Sequence, residues 1–206
     1  MRKRLALSLL VASAIAVPVV AQQMPKPGAK NPALVTGGTY TADSDHTMVR
    51  WQVDHLGFTP YFGIFGSVTG TLVLDPKNPG AAKVDVAIPV SKVTTAHPGL
   101  TKHLLTKDFF GEAPADARFV STSVKVDDDG DEARIDGNLT LNGVTRPVTL
   151  EAEFYGAGKT SPEMGGKENV GFEAEVTIRR SDFNIGFGIP AVSDEVKLDI
   201  VAAFQK

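Results

Sequence analysis

The stretch RIDGNLTLNGVTRPVTLEAEF, residues 134–154, decides the fold of this chain. Apolar and polar residues alternate on both sides of its centre, as Leu139 and Leu141 show before the centre and Val148 shows after it. A period of two is typical of a strand with one apolar face and one polar face. The central pair Asn142-Gly143 is favoured in two-residue hairpin turns. The stretch therefore predicts a β-hairpin.

The same alternation continues from Met48 to Phe204 and predicts seven or eight strands joined by short turns. Val49, Trp51 and Val53, for example, alternate with charged and polar residues. Sequential hairpins make an antiparallel meander. Its apolar face must be covered, either because the sheet closes into a barrel or because two sheets pack together.

Residues 94–110 interrupt the alternation. Pro98 suits the first turn of a helix, and Leu100, Leu104 and Leu105 would form its apolar side. We expect one short helix between the third and fourth strands, where it would cover an open end of a barrel.

The composition of the N-terminal residues and the start of the alternating pattern divide the chain into segments. Residues 2–4 are basic and precede an apolar run that closes with small residues, which is typical of a cleaved secretory signal peptide. We expect a signal peptide over residues 1–21, a flexible leader over 22–37, a barrel domain over 38–206 and a periplasmic location. Residues 156–171 are rich in glycine and predict a mobile loop at a rim.

The charge balance excludes one class of partner. The chain has 21 Lys and Arg against 24 Asp and Glu, and loss of the three basic residues of the signal peptide would change its formal charge from -3 to -6. Without a basic run, nucleic acid is not expected as a partner. There is no cysteine for a disulfide or a thiol nucleophile. His97 and His103 are six apart and lie on different faces of a helix, so neither a metal site nor a cofactor is expected.

Several segments, in order along the chain, carry a resemblance to a known family. Residues 137–148 match the pattern G-x-L-T-x-x-G-x-T-x-P-V, and residues 180–183 match R-x-D-F. Both patterns resemble those of the YceI-like family of polyprenoid-binding proteins, and the resemblance covers about residues 38–205. The other matching segments are residues 46–75, 93–95, 103–104, 108–110, 118–121 and 194–196.

The resemblance implies an all-β fold, an extended antiparallel eight-stranded lipocalin-like barrel with one short helix between strands, whose apolar tunnel holds a long isoprenoid chain. The residues alone allow this, since an eight-stranded barrel is filled by side chains or holds one small ligand. Small inward residues such as Gly70, Gly137 and Ala174 would leave room. The predicted ligand-binding residues are the lining residues Val49, Trp51, Val53, Val68, Leu72, Val86, Ile88, Phe119, Leu139, Leu141, Val148, Leu150, Phe172, Ala174 and Phe183, and the polar residues His55, Thr95, His103, Arg180 and Asp182.

We interpret the chain as a non-enzymatic carrier, storage or sequestering protein for an isoprenoid lipid, such as a ubiquinone-type quinone or a polyprenyl phosphate. The alternative is a carrier of another amphiphile such as a fatty acid or amide, because an apolar tunnel selects length and width rather than chemistry. A lipid-modifying enzyme would need His55, His103 or Asp182 as acid or base, and nothing stands at catalytic spacing. Stable membrane insertion is not expected. The sequence leaves a homodimer open.

Overall fold

The computed structural model describes residues 26–206, and the predicted signal peptide lies outside the described residues. These residues form twelve strands and one α-helix, with short 3-10 turns between some of them. The strands are β1 (Gly28–Ala29), β2 (Gly38–Ala42), β3 (Met48–His55), β4 (Thr59–Phe65), β5 (Thr69–Leu74), β6 (Lys83–Ile88), β7 (Val93–Thr95), β8 (Ala117–Val126), β9 (Glu132–Leu141), β10 (Val144–Lys159), β11 (Glu168–Arg179) and β12 (Glu195–Gln205), and the helix is α1 (Pro98–Leu104).

Eight of the strands close into an antiparallel barrel. Around the ring, β10 pairs with β9, followed by β8, β6, β5, β2, β12 and β11, and β11 returns to β10. Strands β3, β4 and β7 continue β2, β5 and β6 along the barrel, so that the first three barrel strands are each bent and interrupted. We call the half with β3, β4 and β7 the upper half. The predicted eight-stranded barrel is confirmed.

The split of the first strand is visible in the register of β12. Its residues 197–201 pair with β3, whereas Phe204 and Gln205 pair with β2. The turn between β2 and β3 is held by Thr47, whose side chain is buried and donates to Ala203 O at 2.8 Å. One edge of β12 therefore pairs with β2 in the lower half of the barrel and with β3 in the upper half.

The local predictions around the hairpin and the helix are confirmed. Asn142 and Gly143 have φ angles of 50° and 73° and join β9 to β10, as a type I′ turn requires. Helix α1 begins at Pro98, and the ring Nδ1 of His97 accepts a hydrogen bond from the Leu100 amide at 3.2 Å. The helix lies between β7 and β8, and so between the third and fourth strands of the barrel, as expected.

The predicted mobile loop over 156–171 is wrong. Strand β10 continues to Lys159 and β11 begins at Glu168, which leaves only 160–167 between them. Glycine is needed here for close approach, because a Cβ at Gly158 would collide with the carbonyl oxygen of Pro27, the residue directly before β1.

Part of the segment predicted as a flexible leader contacts the barrel. Gly28 and Ala29 form β1 and pair with Gly158 and Ala157 of β10. Residues 32–34 then form a 3-10 turn capped by the side chain of Asn31. Among residues 26–206, no helix has the length and apolar character needed to cross a membrane.

Candidate ligand-binding tunnel

The barrel encloses two apolar cavities. The lower cavity has a volume of about 370 Å³ and the upper one of about 410 Å³. Ile88, Leu139 and Leu198 line both, so they form a waist between two chambers of one tunnel. Each chamber falls within the size range of known small-molecule sites, roughly 300–1,000 Å³.

The lower chamber has an almost wholly apolar wall built by inward side chains of the ring strands. Its polar lining residues are Thr47, Asp131 from the turn between β8 and β9, and Glu132, the first residue of β9. Pro32 and Val35, which precede β2, also line this chamber. The lower chamber therefore suits hydrocarbon and offers few partners to a polar group.

The upper chamber lies between β3, β4, α1 and the segment before β12. An aromatic trio joins the helix side to that segment, with ring centroids 5.2 Å apart for His103 and Phe109, and 5.4 Å from each of these to Phe187. The ring Nε2 of His103 lies 3.0 Å from Oδ2 of Asp108. Since all three rings line the chamber, contacts between the helix and this segment form part of its wall.

Two large aromatic rings lie along the wall instead of projecting into the tunnel. Trp51 pairs with Gly63 across β3 and β4, and a Cβ at Gly63 would stand 2.5 Å from Cζ2 of the indole. Phe119 likewise lies over Gly137 of β9. Each glycine makes room for a flat ring, and the tunnel stays open.

This arrangement corrects the expected role of the small residues. Gly137 and Gly70 line neither chamber. The space above Gly137 is filled by Phe119, and Gly70 permits a close approach of the Asp85 carbonyl oxygen. Ala174 does line the lower chamber.

Arg180 is buried at the wall of the upper chamber. Its guanidinium donates four hydrogen bonds to backbone carbonyls, to Ser193 at 2.8 Å, Ile185 at 3.0 Å, Phe187 at 2.8 Å and Val192 at 2.8 Å. Burial lowers the pKa of this guanidinium. The side chain therefore fastens the segment 184–193, whose residues help to form the chamber.

Seventeen of the twenty predicted ligand-binding residues line the tunnel. Two of them, Ile88 and Leu139, form part of the waist. In the lower chamber are Val49, Val68, Leu72, Val86, Phe119, Val148, Leu150, Phe172 and Ala174, and in the upper chamber are Trp51, Val53, His55, His103, Leu141 and Arg180.

Three predicted residues line neither chamber. The Thr95 hydroxyl donates to His97 O at 2.9 Å and lies 2.9 Å from the Thr101 hydroxyl, so it orders the start of α1. After β11, residues 180–183 form a 3-10 turn that ends the alternation. Asp182 is exposed there, and Phe183 is 1% exposed within the packed wall.

Sequence reasoning missed several lining residues of the upper chamber. Tyr61 and Phe65 of β4 lie inside, as do Phe109 and Phe187. The register of the β3–β4 hairpin, in which Tyr61 faces Val53, could have identified the first of these. Phe109 and Phe187 lie outside strands, where no alternation marks the inward face.

A family model described as YceI-like domain matches residues 40–204. Protein YceI of Escherichia coli O157:H7 is 46% identical over 159 residues, which cover 77% of this chain and 81% of the relative. A solved structure of the Campylobacter jejuni YCEI protein is 29% identical, with a TM-score of 0.63 over 74% of this chain and 89% of that chain.

A more distant solved structure shares the fold alone. It is described as a polyisoprenoid binding domain from Saccharophagus degradans implicated in plant cell wall breakdown. It is 14% identical, with a TM-score of 0.61, and the match covers 81% of this chain and 97% of that chain.

Proposed function

The chain belongs to the YceI-like family, and from this premise we propose that it is a periplasmic carrier, storage or sequestering protein that binds a long isoprenoid lipid without altering it. The observation that carries this proposal is the pair of apolar chambers, which adjoin at the waist and are not filled by side chains. The description of the distant structural neighbour as a polyisoprenoid binding domain supports the same ligand class.

The size of the barrel supports a long ligand. Strand β10 has 16 residues, and at about 3.3 Å per residue and a tilt of about 40° it spans about 40 Å along the barrel axis. Burial of each CH₂ group contributes about 0.8 kcal/mol, so about twenty buried carbons contribute roughly 16 kcal/mol before the costs of association. The chain of the ligand would supply most of the affinity.

The shape of the tunnel supports an isoprenoid over a straight fatty chain. The rings of Trp51 and Phe119 lie flat over glycines, which leaves width for the methyl branches of an isoprenoid. A fatty acid or amide remains the alternative, because it would bury the same kind of surface. An enzyme is less well supported, since Asp182 lies outside the chamber that His55 and His103 line.

The test is native mass spectrometry of full-length protein purified from its own periplasm, followed by extraction of the bound lipid. We expect an isoprenoid in the complex, and a fatty acid or amide there would support the alternative. The same spectrum reports the oligomeric state. N-terminal sequencing should find Gln22 first, and an intact Met1 in the membrane fraction would contradict the periplasmic location.

A control addresses catalysis. The extracted lipid is compared between the wild-type protein and a His55→Ala variant, since His55 lies at the rim and lines the upper chamber. A carrier releases chemically identical lipid from both. Altered lipid from the wild-type protein alone would refute the carrier proposal.

A further inference from the structure

Two buried polar atoms of the upper chamber have no hydrogen-bond partner. They are Nε1 of Trp51 and the hydroxyl oxygen of Tyr61, and no other buried side-chain nitrogen or oxygen among residues 26–206 shares this condition. Trp51 is 8% exposed, and both residues line the chamber. Their ring centroids are 6.3 Å apart, so the two groups belong to one small region.

An unpartnered buried donor is costly, and proteins rarely keep one without a use. A Trp nitrogen can only donate, and a Tyr hydroxyl can donate as well as accept. The indole lies against β4 in the space that Gly63 leaves open. The pair is therefore held ready for an acceptor that enters the chamber.

We propose that Trp51 Nε1 and Tyr61 Oη donate to a carbonyl oxygen of the bound lipid, and so hold its head group in the upper chamber while the chain extends through the waist into the lower chamber. This inference rests on the proposed function. Both donor atoms are covered in this structure, so a head group packed against the two rings reaches them once these side chains move. In the lower chamber, by contrast, the wall is apolar apart from Thr47, Asp131 and Glu132.

The charges of the upper chamber favour an uncharged acceptor over a phosphate. Among residues 26–206, Arg180 is the one Lys or Arg that lines it, and four of its N–H groups already donate to backbone carbonyls. A buried phosphate would need several charged donors. A quinone carbonyl needs only neutral donors such as these two.

The experiment measures binding of two isoprenoids to delipidated full-length protein. The probes are radiolabelled ubiquinone, which carries carbonyl oxygens, and radiolabelled squalene, which carries no oxygen, and the readout is co-elution with the protein in gel filtration. The main variant is Tyr61→Phe, which removes one hydroxyl and keeps the ring. Trp51→Phe is the second variant, and Tyr155→Phe is the control because Tyr155 is 68% exposed.

We expect Tyr61→Phe and Trp51→Phe each to weaken ubiquinone binding about tenfold, which corresponds to about 1.4 kcal/mol. Squalene binding should stay within about twofold, because hydrocarbon forms no hydrogen bond with either donor. Tyr155→Phe should change neither. Melting of the unliganded protein adds a readout, since Tyr61→Phe removes an unpartnered hydroxyl and should not lower the melting temperature. Tyr40→Phe should lower it, because that hydroxyl donates to Thr36 O at 2.7 Å.

The remaining outcomes distinguish a failure of the proposed donor pair from a failure of the proposed function. Equal loss of both lipids in Tyr61→Phe, or no loss of either, would overturn the donor pair and leave isoprenoid binding intact. Wild-type protein that binds squalene but not ubiquinone would do the same. Wild-type protein that binds neither lipid would refute the proposed function itself.

Discussion

Replacing Arg180 with methionine tests whether this side chain supports the wall of the upper chamber. The substitution keeps an unbranched chain of similar length and removes the guanidinium. Four backbone carbonyls then lose their donors, those of Ile185, Phe187, Val192 and Ser193. Water can reach some of them once the segment relaxes, because Phe187 is 50% exposed, whereas Ile185 is 3% exposed.

The magnitude follows from these contacts. Hydrogen bonds to a charged group contribute about 1.5–3 kcal/mol each, but partial hydration offsets part of the loss, so we expect Arg180→Met to lower the free energy of unfolding by about 3–5 kcal/mol. Small proteins have total stabilities of about 5–15 kcal/mol, and with a urea slope near 2 kcal/mol/M the midpoint should fall by about 1.5–2.5 M.

The assay is urea unfolding followed by the fluorescence of Trp51, the single tryptophan, and by circular dichroism. Arg179→Met is the matched control, because Arg179 is the exposed neighbour on the same chain segment. The control should change the free energy of unfolding by less than about 0.5 kcal/mol. Bound lipid should also dissociate faster from Arg180→Met, since Phe187 and Val192 line the chamber. A loss within about 1 kcal/mol of the control would refute the supporting role.

Three further predictions concern the waist, the flat indole and acid sensitivity. Leu139→Asp, at a waist position that is 9% exposed, should abolish lipid co-elution, because an unpaired carboxylate there costs several kcal/mol. The control Asn138→Asp changes the neighbouring outward residue and should bind lipid normally. Equal binding by both variants would place the lipid elsewhere. Gly63→Ala should destabilise the protein by about 1–3 kcal/mol and shift the Trp51 fluorescence emission. Gly66→Ala is the control, because an added Cβ there would have no atom within 4 Å, and it should change neither quantity. If Gly63→Ala changes neither stability nor emission, the indole does not need this space. Hydrogen bonds from the Ser181 amide and then from its hydroxyl hold the pKa of Asp194 below its usual 3.8, so this carboxylate stabilises the fold above pH 3.8 and less as the pH falls further. In urea unfolding, Asp194→Asn should therefore be less stable than wild type at pH 7, and the difference in the free energy of unfolding should shrink in acid. A difference that does not change with pH would contradict this.

Much of the fold could be predicted from local patterns. Alternation with a period of two predicted the barrel strands, Asn142-Gly143 predicted its hairpin, and Pro98 with the leucines predicted the helix. Each of these signals acts within a few residues, because backbone geometry fixes the side-chain period and the turn angles locally. The prediction of a mobile loop over 156–171 was wrong for a related reason. Glycine is locally typical of flexible segments, but Gly158 is needed here because β1 packs too closely for a side chain.

Inside the tunnel, the sequence predicted inward residues well where a strand was continuous and poorly where it ended. Leu139 and Val148 line the tunnel because the hairpin keeps its alternation. Asp182 and Phe183 do not, because the 3-10 turn after β11 rotates them away from the strand pattern. Their role in ligand binding, like that of every predicted lining residue, stays a prediction.

By itself the sequence determined most of the strands, which faces of those strands are apolar, and therefore that these faces had to be covered. Only the tertiary structure decided the rest. Trp51 lies over Gly63, Arg180 reaches carbonyls up to 13 residues away, and Trp51 and Tyr61 are left with unpartnered donors in one chamber. These features depend on strand register and barrel closure, which are set by the packing of the whole chain and not by the conformational preferences of neighbouring residues.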